Sequence, residues 1–592
     1  MNEPSQEIPP VEKPPETLLD SWKEIAAYLN RDVSTVQRWE KREAMPVHRH
    51  VHDKRGSVYA LTEELDAWIR NRSAPVDEPE KKPAAEVPPT GSGDSGVSIG
   101  QRWRWAALAV ILCLCLSAVA WLILRHHSTV AVEPKIRSLA VLPLRNLSGD
   151  PAQDYLADGI TEELIGRLST IHDLRVTSHT SVMRFKNPQI SVPEIAKTLG
   201  VDAVVEGSVM KEGDRIRVTV QLIRGATDEH FWSETYDRQM RDALSLESDL
   251  AQSIAEKVEV TVTGKEHQRL NSARPVAPEV YESYLQGRFA FEQGNKAAVE
   301  RSVRYFEDTL AKDPAFAPAY LGLAKAYTTL GTVFAGVSPQ VTRPKVIASA
   351  RKALALDPDL AEAHAVLANT LQEEWQWTEA EDEYKRALEL NPNNASAQAG
   401  YALWLSCQGR SDEAINWVQR AQALDPIGVS GSSVSWILFQ SHRYDDAIRE
   451  SRSSLTLQPN NGSNLLLLGF ALIANNQPED AIKVLEKAIT VSPGSPAATG
   501  VLIRAYAHAG RRSDAMRLLE ELIRRRKTGY VPAGAFINAY LGLGDKEQAF
   551  YWLEEAYKEQ SNILQFLKTH PYFDPIRDDP RFVDLVHRVG LV

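Results

Sequence analysis

Residues 361–392, AEAHAVLANTLQEEWQWTEAEDEYKRALELNP, decide the fold of the larger part of this chain. Small and apolar residues recur there at helical spacing, and Pro392 marks the end because proline cannot continue a helix. The proline recurs at steps of 34, 34, 33 and 34 residues, at Pro358, Pro392, Pro426, Pro459 and Pro493. An alanine series keeps the same step, at Ala380, Ala414, Ala447, Ala481, Ala515 and Ala549. Two series in phase predict a repeated pair of helices.

The 34-residue period with these small positions resembles the tetratricopeptide repeat. The resemblance implies an all-α solenoid of roughly eight units, which we expect over residues 281–592 with a C-terminal cap from Pro571 to Val592. Pro314 precedes Pro358 by 44 residues, so the first unit is expected to carry an insertion near Val337–Pro344. Stacked helix pairs form a groove, and we expect protein or peptide partners in it.

Residues 136–262 alternate β-rich runs with amphipathic runs and predict an α/β domain. Strands are predicted at Ser138–Leu142, Leu174–Thr177, Ala203–Met210, Ile216–Ile223 and His230–Tyr236, and helices at Gln153–Ile171, Val192–Leu199 and Ala243–Val258. Glu212, Gly213 and Asp214 form a predicted hairpin turn. Asp158, Gly159 and Glu162 lie near a helix start and are interpreted as capping residues.

Two stretches of this domain carry a family resemblance. They are SLAVLPLRNLSGDPAQDYLADGITEELIGRLS at 138–169 and LGVDAVVEGSVMKEGDRIRVTVQLI at 199–223. Both resemble the TolB-like amino-terminal domain, which accompanies helix-turn-helix or cyclase heads and tetratricopeptide arms in bacterial membrane proteins. The resemblance implies a fold and brings no agreed chemistry with it.

A run of 20 residues from Trp105 to Leu124 has Ser117 as its only polar side chain. Twenty helical residues span about 30 Å, the thickness of the hydrocarbon core of a bilayer, so a transmembrane helix is predicted over 103–125. Basic residues are nearly balanced on its two sides, so charge does not set the orientation. Residues 1–17 and 73–102 are rich in Pro, Glu, Ser, Gly and Lys and predict a disordered tail and a linker.

The head, residues 18–72, predicts a helix-turn-helix. Ser21 and Glu24 form a capping box before an amphipathic helix, and Asn30-Arg31-Asp32 makes the turn into a second helix. After Pro46, a β-rich segment with Lys54 and Arg55 at its tip predicts a wing. The alternation of His48, His50 and His52 is interpreted as ordinary wing sequence, since no further metal ligand lies nearby.

The stretches VSTVQRWEKREAMPVHRH at 33–50 and SVYALTEELDAWI at 57–69 resemble the winged helix-turn-helix of the MerR and excisionase families. The resemblance implies that the second helix lies in the major groove and that the wing approaches phosphates. The candidate DNA-binding residues are Ser34, Thr35, Gln37, Arg38, Arg42, Arg49, Lys54 and Arg55. Acidic residues nearly cancel the basic ones in this head, so a protein-binding role stays open.

Composition narrows the functional classes. The net charge of −11 gives no overall polycationic signal, so any nucleic-acid contact needs a local basic surface. The three cysteines, Cys113, Cys115 and Cys407, support neither a disulfide framework nor a thiolate metal site. The sequence contains no G-x-S-x-G, H-E-x-x-H or Walker motif, and the GSGDSG at 91–96 lies in the linker. We therefore expect no enzymatic activity, no cofactor and no metal.

Together these segments predict a membrane-anchored one-component transcription regulator, similar in layout to the CadC and ToxR regulators. The protein is expected in a bacterial inner membrane with one span, the head in the cytoplasm on DNA and the C-terminal region in the periplasm. A homodimer is expected, because two half-sites multiply a weak affinity. The alternatives are a membrane-tethered scaffold whose head binds protein, and an arm that lies in the cytoplasm through a reversed or absent span.

Overall fold

The computed structural model describes residues 18–19, 21–29, 31, 33–43, 45–49, 58–62, 64–65, 68, 135–186, 190–270, 275–332, 337–426 and 430–591. The predicted tail, linker and transmembrane helix lie outside these residues, as do Lys54 and Arg55 at the wing tip. Within the described residues, every helix is too short or too polar to cross a membrane. The chain divides into two units, residues 1–128 and 129–592, which are described separately.

The head contains two helices and a small sheet. Helix α1 spans Trp22–Tyr28 and α2 spans Val33–Glu43, while strands β1 (Leu18–Leu19), β2 (His48–Arg49) and β3 (Val58–Leu61) form an antiparallel sheet in the order β1-β3-β2. Their apolar residues meet in one small core, made of Ile25, Ala26, Val36, Met45, Val58, Ala60 and Leu65. The predicted helix-turn-helix elements and wing strands are present, and β1 is an addition that the sequence did not predict.

The second unit begins with an α/β domain built on a mixed sheet. Its strands are β4 (Ser138–Val141), β5 (Arg145–Asn146), β6 (Arg175–Val176), β7 (Ala203–Glu212), β8 (Arg215–Arg224) and β9 (Glu229–Gln239). The order is β6-β4-β7-β8-β9, with β5 also paired to β7. β4 is parallel to its neighbours and β7, β8 and β9 are antiparallel. Gly213, at a φ of 60°, turns the chain between β7 and β8 where the hairpin was predicted.

Helices pack on this sheet and lead out of the domain. They are α3 (Asp154–Ser169), α4 (His179–Val182), α5 (Val192–Leu199), α6 (Ala243–Lys257) and α7 (Gly264–Leu270), with short 3-10 turns at Pro151–Gln153, Met183–Phe185 and Met240–Asp242. The boundaries agree with the sequence to within a few residues. Helices α3 and α6 contact each other, so the side chains between them are removed from water.

The solenoid follows as eight pairs of helices within the described residues. The pairs are α8 (Pro278–Glu292) and α9 (Lys296–Lys312), α10 (Ala317–Leu330) and α11 (Pro339–Leu356), α12 (Ala361–Glu373) and α13 (Trp377–Leu390), α14 (Ala395–Cys407) and α15 (Ser411–Leu424), α16 (Ser430–Gln440) and α17 (Tyr444–Leu457), α18 (Gly462–Ala474) and α19 (Pro478–Val491), α20 (Pro496–His508) and α21 (Arg512–Thr528), and α22 (Ala533–Leu543) and α23 (Lys546–Lys558). The first helices of successive pairs contact one another and form an inner layer. The alanines of the repeat series are fully buried where the helices of each pair cross.

The C-terminal segment, residues 561–591, consists of 3-10 turns at Asn562–Phe566 and Pro571–Ile576 and helix α24 (Pro580–Arg588). The sequence predicts a cap at the end of the solenoid, but the structure places this segment along the inner layer. Gln372 of α12 donates a hydrogen bond to Gln565 at 2.7 Å, and Thr569 donates to Gln440 of α16 at 3.2 Å. The difference arises because the segment carries apolar residues that bury against several repeats.

Candidate functional site

The head positions α2 through caps and core contacts. The Ser21 hydroxyl accepts a hydrogen bond from the Glu24 amide at 3.3 Å, which caps α1 as predicted. On α2, Val36 is fully buried, and the rings of Trp39 and Trp68 lie 5.7 Å apart. These contacts fix the rotation of α2 against the rest of the head.

The predicted DNA contacts fall mostly on α2. Thr35 and Gln37 are partly exposed there. Ser34, Arg38 and Arg42 follow one another at intervals of four residues along the same helix, and Arg49 lies in β2. Lys54 and Arg55 lie outside the described residues. One helix therefore brings together five of the eight candidates.

The first histidine of the predicted wing has ordinary partners. The Nε2 atom of His48 lies 2.7 Å from Glu64, and its ring stacks on Tyr59 with centroids 5.1 Å apart. His50 and His52 lie outside the described residues. The contacts of His48 fit the interpretation of this stretch as a structural part of the wing.

A large cavity lies in the second unit, where α3 of the α/β domain faces the first helices of the solenoid. Its volume is about 860 Å³, and its wall comes mainly from α3, α7, α8, α10 and α12. Phe291, Phe306, Phe316 and Leu321 supply apolar surface. Charged side chains from both domains surround that surface.

Arg288 of α8 contacts the acidic side chains that the α/β domain contributes to this wall. It forms ion pairs with Glu162 and Glu163 of α3, and burial lowers the pKa of its guanidinium to about 10. Lys325 of α10 lies 3.2 Å from Glu362 of α12. The pairs of Arg288 join the α/β domain to the solenoid and are largely shielded from water, whereas the Lys325–Glu362 pair lies within the solenoid and is half-exposed.

Glu162 and Asp158 correct a prediction from the sequence. Helix α3 begins at Asp154, so neither residue caps it; they lie in later turns of the helix. Asp158 accepts a hydrogen bond from Lys186 at 2.6 Å, and Glu162 pairs with Arg288. Both side chains therefore contact other elements and not the start of their own helix.

The contact between α3 of the α/β domain and α8 of the solenoid is called the joint below. A buried carboxyl group lies beside it. Glu247 of α6 is fully buried and accepts a hydrogen bond from the Tyr281 hydroxyl, while its second oxygen has no hydrogen-bond partner among the described residues. Burial, with a smaller contribution from the nearby Glu163 carboxylate, raises the pKa of Glu247 to about 8. Arg167 lies 3.8 Å away and only partly opposes this shift. Sequence periodicity gives no signal for such a group.

A smaller cavity of about 180 Å³ shares part of its wall with the large one. Asp158, Glu162, His179, Arg288 and Glu292 line it together with Met183 and Phe289. Burial lowers the pKa of His179, so the neutral imidazole is favoured. The sequence did not single out His179 or Glu292, because they lie more than a hundred residues apart.

Toward the C-terminal end of the solenoid, aromatic side chains of the C-terminal segment pack against the inner layer. Tyr572 lies 5.0 Å from the Phe470 ring of α18, and the Arg504 guanidinium of α20 lies 3.7 Å from the Tyr572 ring centroid. Phe566 and His570 pack edge-on against Trp436 of α16 at 5.1 and 5.4 Å. The part of the groove between α16 and α20 is thus filled by the chain itself.

Comparisons with known proteins agree with this architecture. Residues 135–257 match the family described as HilA/YgeH-like transcriptional regulator, second domain, and residues 361–394, 438–489 and 472–535 match tetratricopeptide repeat families. The chain therefore carries a transcriptional-regulator-like α/β domain followed by tetratricopeptide repeats, which support protein or peptide partners. The MerR-like assignment of the head and the TolB-like assignment of the α/β domain are not tested by these matches.

A curated relative is "Putative adenylate cyclase 3" of Rhizobium meliloti (strain 1021), 32% identical over 269 residues. The match covers 44% of this chain and 45% of that protein, so the chain spans less than half the length of the relative.

Among solved structures, a tetratricopeptide repeat protein of Thermus thermophilus is similar over 33% of this chain and 99% of its own, at 18% identity and a TM-score of 0.29. The pilF protein of Pseudomonas aeruginosa is similar over 43% of this chain and 96% of its own, at 20% identity and a TM-score of 0.27.

Proposed function

We propose that this protein is a membrane-anchored, one-component transcription regulator that binds DNA through its N-terminal head. The observation that carries the proposal is the match of the α/β domain to a domain of transcriptional regulators, in a chain that also has a two-helix head with a β-sheet wing. The finer assignments, a MerR-like head and a TolB-like α/β domain, belong to the same proposal.

The proposed DNA contact uses α2 as the recognition helix. Hydroxyl, amide and guanidinium groups are the side-chain types that hydrogen-bond base edges and phosphates, and α2 carries all three in Thr35, Gln37 and Arg38. A single small head makes few phosphate contacts, so a homodimer on two half-sites would supply the affinity. The binding is expected to weaken as salt rises, because counterions are released from DNA.

The proposed anchor is the apolar run from Trp105 to Leu124. It would place the protein in a bacterial inner membrane, with the head in the cytoplasm and the C-terminal region in the periplasm. Reporter fusions after Arg72 and after Pro275 test this arrangement directly. Activity of both fusions in the same compartment would contradict it.

The proposed partner surface lies at the N-terminal end of the inner layer. The C-terminal segment packs on the inner layer from the end of α12 to α20. The 860 Å³ cavity lies beside α8, α10 and the start of α12 and has apolar surface and charged walls. A protein or peptide segment could bury apolar side chains there and pair with the charged groups. We propose no catalytic activity for the chain.

The test compares two double variants of the full-length chain in membranes. Arg38→Ala with Arg55→Ala should abolish retention of genomic DNA fragments and the response of target genes, with membrane insertion unchanged. Arg241→Ala with Arg517→Ala is the control, because it removes the same charge from exposed positions outside the head. It should behave as the native protein does.

The second candidate function is a membrane-tethered scaffold whose head binds a protein. The cancellation of basic by acidic residues in the head favours this alternative. A scaffold would keep its function in the Arg38 and Arg55 double variant and would retain no DNA fragment at low salt. That outcome would replace the regulator proposal.

A further inference from the structure

Three potential metal ligands converge in the 180 Å³ cavity. Glu162 comes from α3, His179 from α4 and Glu292 from the end of α8, so the cavity joins the α/β domain to the first helix of the solenoid. One ligand atom from each residue lies within 4.8 Å of those of the other two. Among the described residues, these three form a group of His and Glu side chains that lie close enough together to share an ion.

Two polar atoms in the same wall lack partners. The Nε2 atom of His179 is buried and makes no hydrogen bond within the described part of the chain. The same holds for Oδ1 of Asp158, a residue that is only 8% exposed and whose other oxygen accepts from Lys186. A buried polar atom without a partner is destabilising, so a ligand that satisfies both atoms would be favoured.

The charge of the wall favours a cation. Three carboxylates, those of Asp158, Glu162 and Glu292, line the cavity with the guanidinium of Arg288. Lys186 pairs with Asp158, so one negative charge remains in excess. Arg288 pairs with Oε2 of Glu162, while Oε1 lies 3.9 Å from Lys325, too far for a hydrogen bond. One oxygen of Glu162 therefore remains available to an ion.

We propose that Glu162, His179 and Glu292 bind a divalent ion of the zinc class, with Asp158 as a further ligand or as a partner of a bound water. An imidazole nitrogen with carboxylate oxygens suits zinc and similar transition metals, whereas magnesium and calcium prefer sites made of oxygen alone. Bonds of about 2.0–2.2 Å in tetrahedral geometry place ligand atoms about 3.3–3.6 Å apart. Rotation of the Glu162 and Glu292 side chains would close the remaining distance.

A bound ion would tie the two domains together. Two of its ligands belong to the α/β domain and the third to the solenoid, so metal binding would resist any motion of one against the other. The site also shares Glu162, Arg288 and Glu292 with the 860 Å³ cavity, so an ion would lie beside the pair of Arg288 and Glu162. The inference does not depend on DNA binding by the head.

The test uses the full-length chain in detergent, stripped of metal by a chelator and then dialysed against Zn²⁺. Bound zinc per chain and the melting temperature are measured for the native protein, His179→Gln and Glu292→Gln. His267→Gln is the control, since His267 is an exposed histidine on the nearby α7. Comparing variants separates this site from zinc bound by histidines elsewhere in the chain.

We expect the native protein and His267→Gln to bind one more equivalent of zinc than the other two variants. The rise in melting temperature on adding Zn²⁺ should also be lost in those two, and Mg²⁺ at the same concentration should give no rise. Glu292 is exposed, so Glu292→Gln should fold even if His179→Gln does not. Equal zinc content in Glu292→Gln and the native protein, or an equal effect of Mg²⁺, would overturn the proposal.

Discussion

The two ends of the inner layer of the solenoid differ: the N-terminal end borders a cavity and is called the open end, and the C-terminal end is packed with side chains and is called the filled end. At the N-terminal end, α8, α10 and α12 face the α/β domain across an 860 Å³ cavity with ion pairs on its wall. At the C-terminal end, aromatic side chains of the segment 561–591 fill the groove against α16, α18 and α20. The same repeat can thus present a surface for binding or be used as core, depending on which residues project from its first helix.

The two ends should differ in how strongly the stability of the fold depends on the contacts made there. Burial of apolar side chains contributes more to stability than exposed or half-exposed ion pairs. The C-terminal end should therefore tolerate few changes. The N-terminal end should tolerate many changes without loss of folding, while its charges would select the partner that we propose for it.

The largest effect is expected at the filled end, from Phe573→Ala. Phe573 is 1% exposed and packs against His570 and Phe582. Removing its ring should lower the free energy of unfolding by about 3–5 kcal/mol, because a cavity remains in the core. Urea denaturation followed by circular dichroism measures the change.

Tyr551→Ala is the matched control for Phe573→Ala. Tyr551 is an aromatic residue that is 55% exposed on α23. Its loss should change the free energy of unfolding by about 0.5 kcal/mol or less. If the two variants were equally stable, the C-terminal segment would be a loose attachment and not part of the core.

The second prediction concerns the pH dependence of the free energy of unfolding, which Glu247 at the joint should influence. The pKa of Glu247 is raised from 4.5 to about 8, so the folded state holds this proton more tightly than the unfolded state. The resulting stability is complete below about pH 4.5 and is lost as the pH rises through about 8. Glu247→Gln should remove this loss, roughly 4 kcal/mol between the two pH values for a shift of this size.

Thermal unfolding over this pH range provides the measurement. The exposed Glu229→Gln should keep the native slope, since Glu229 lies at the surface of β9. A slope in Glu247→Gln as steep as in the native protein would mean that Glu247 is ionised in the folded state. The joint would then contain a buried charge that the neighbouring Arg167 compensates.

Close packing of the inner layer supplies a third prediction. A methyl group on Gly500 of α20 would lie 2.4 Å from the carbonyl oxygen of Ala535 in α22, so Gly500→Ala should push the two helices apart. The expected cost is about 1–3 kcal/mol. At Gly534 of α22 the nearest atom would lie 3.6 Å away, so Gly534→Ala should be neutral or raise stability by up to about 1 kcal/mol. Equal costs measured in urea would argue against this contact.

Local patterns in the sequence predicted most of the elements. The repeat prolines mark helix ends, as where α13 ends at Leu390 just before Pro392. The turn residues Glu212, Gly213 and Asp214 predicted the hairpin between β7 and β8. What periodicity could not predict is contact between distant residues. Gln372 and Gln565 are 193 positions apart, and nothing local to either residue indicates the other.

Whether a candidate site could be predicted also depended on how close its residues lie in the sequence. The DNA-binding candidates could be proposed because helix-turn-helix residues lie close together in the sequence, on a single helix. The joint residues could not, because Glu162 and Glu292 become neighbours only when the α/β domain packs on α8. Asp158 and Glu162 were assigned to capping for this reason, since the local sequence gave them no other role.

The smallest effect is expected at the rim of the open end, from Arg386→Ala. Arg386 lies 3.0 Å from Asp359 and 2.9 Å from Glu389, and all three side chains are substantially exposed. Because water and salt screen such pairs, the free energy of unfolding should fall by only about 0–1 kcal/mol. Urea denaturation at low and high salt measures it, and any loss should shrink as salt rises. A loss above about 2 kcal/mol that persisted in high salt would show that the rim is as necessary for folding as the aromatic end, and the distinction between the two ends would fail.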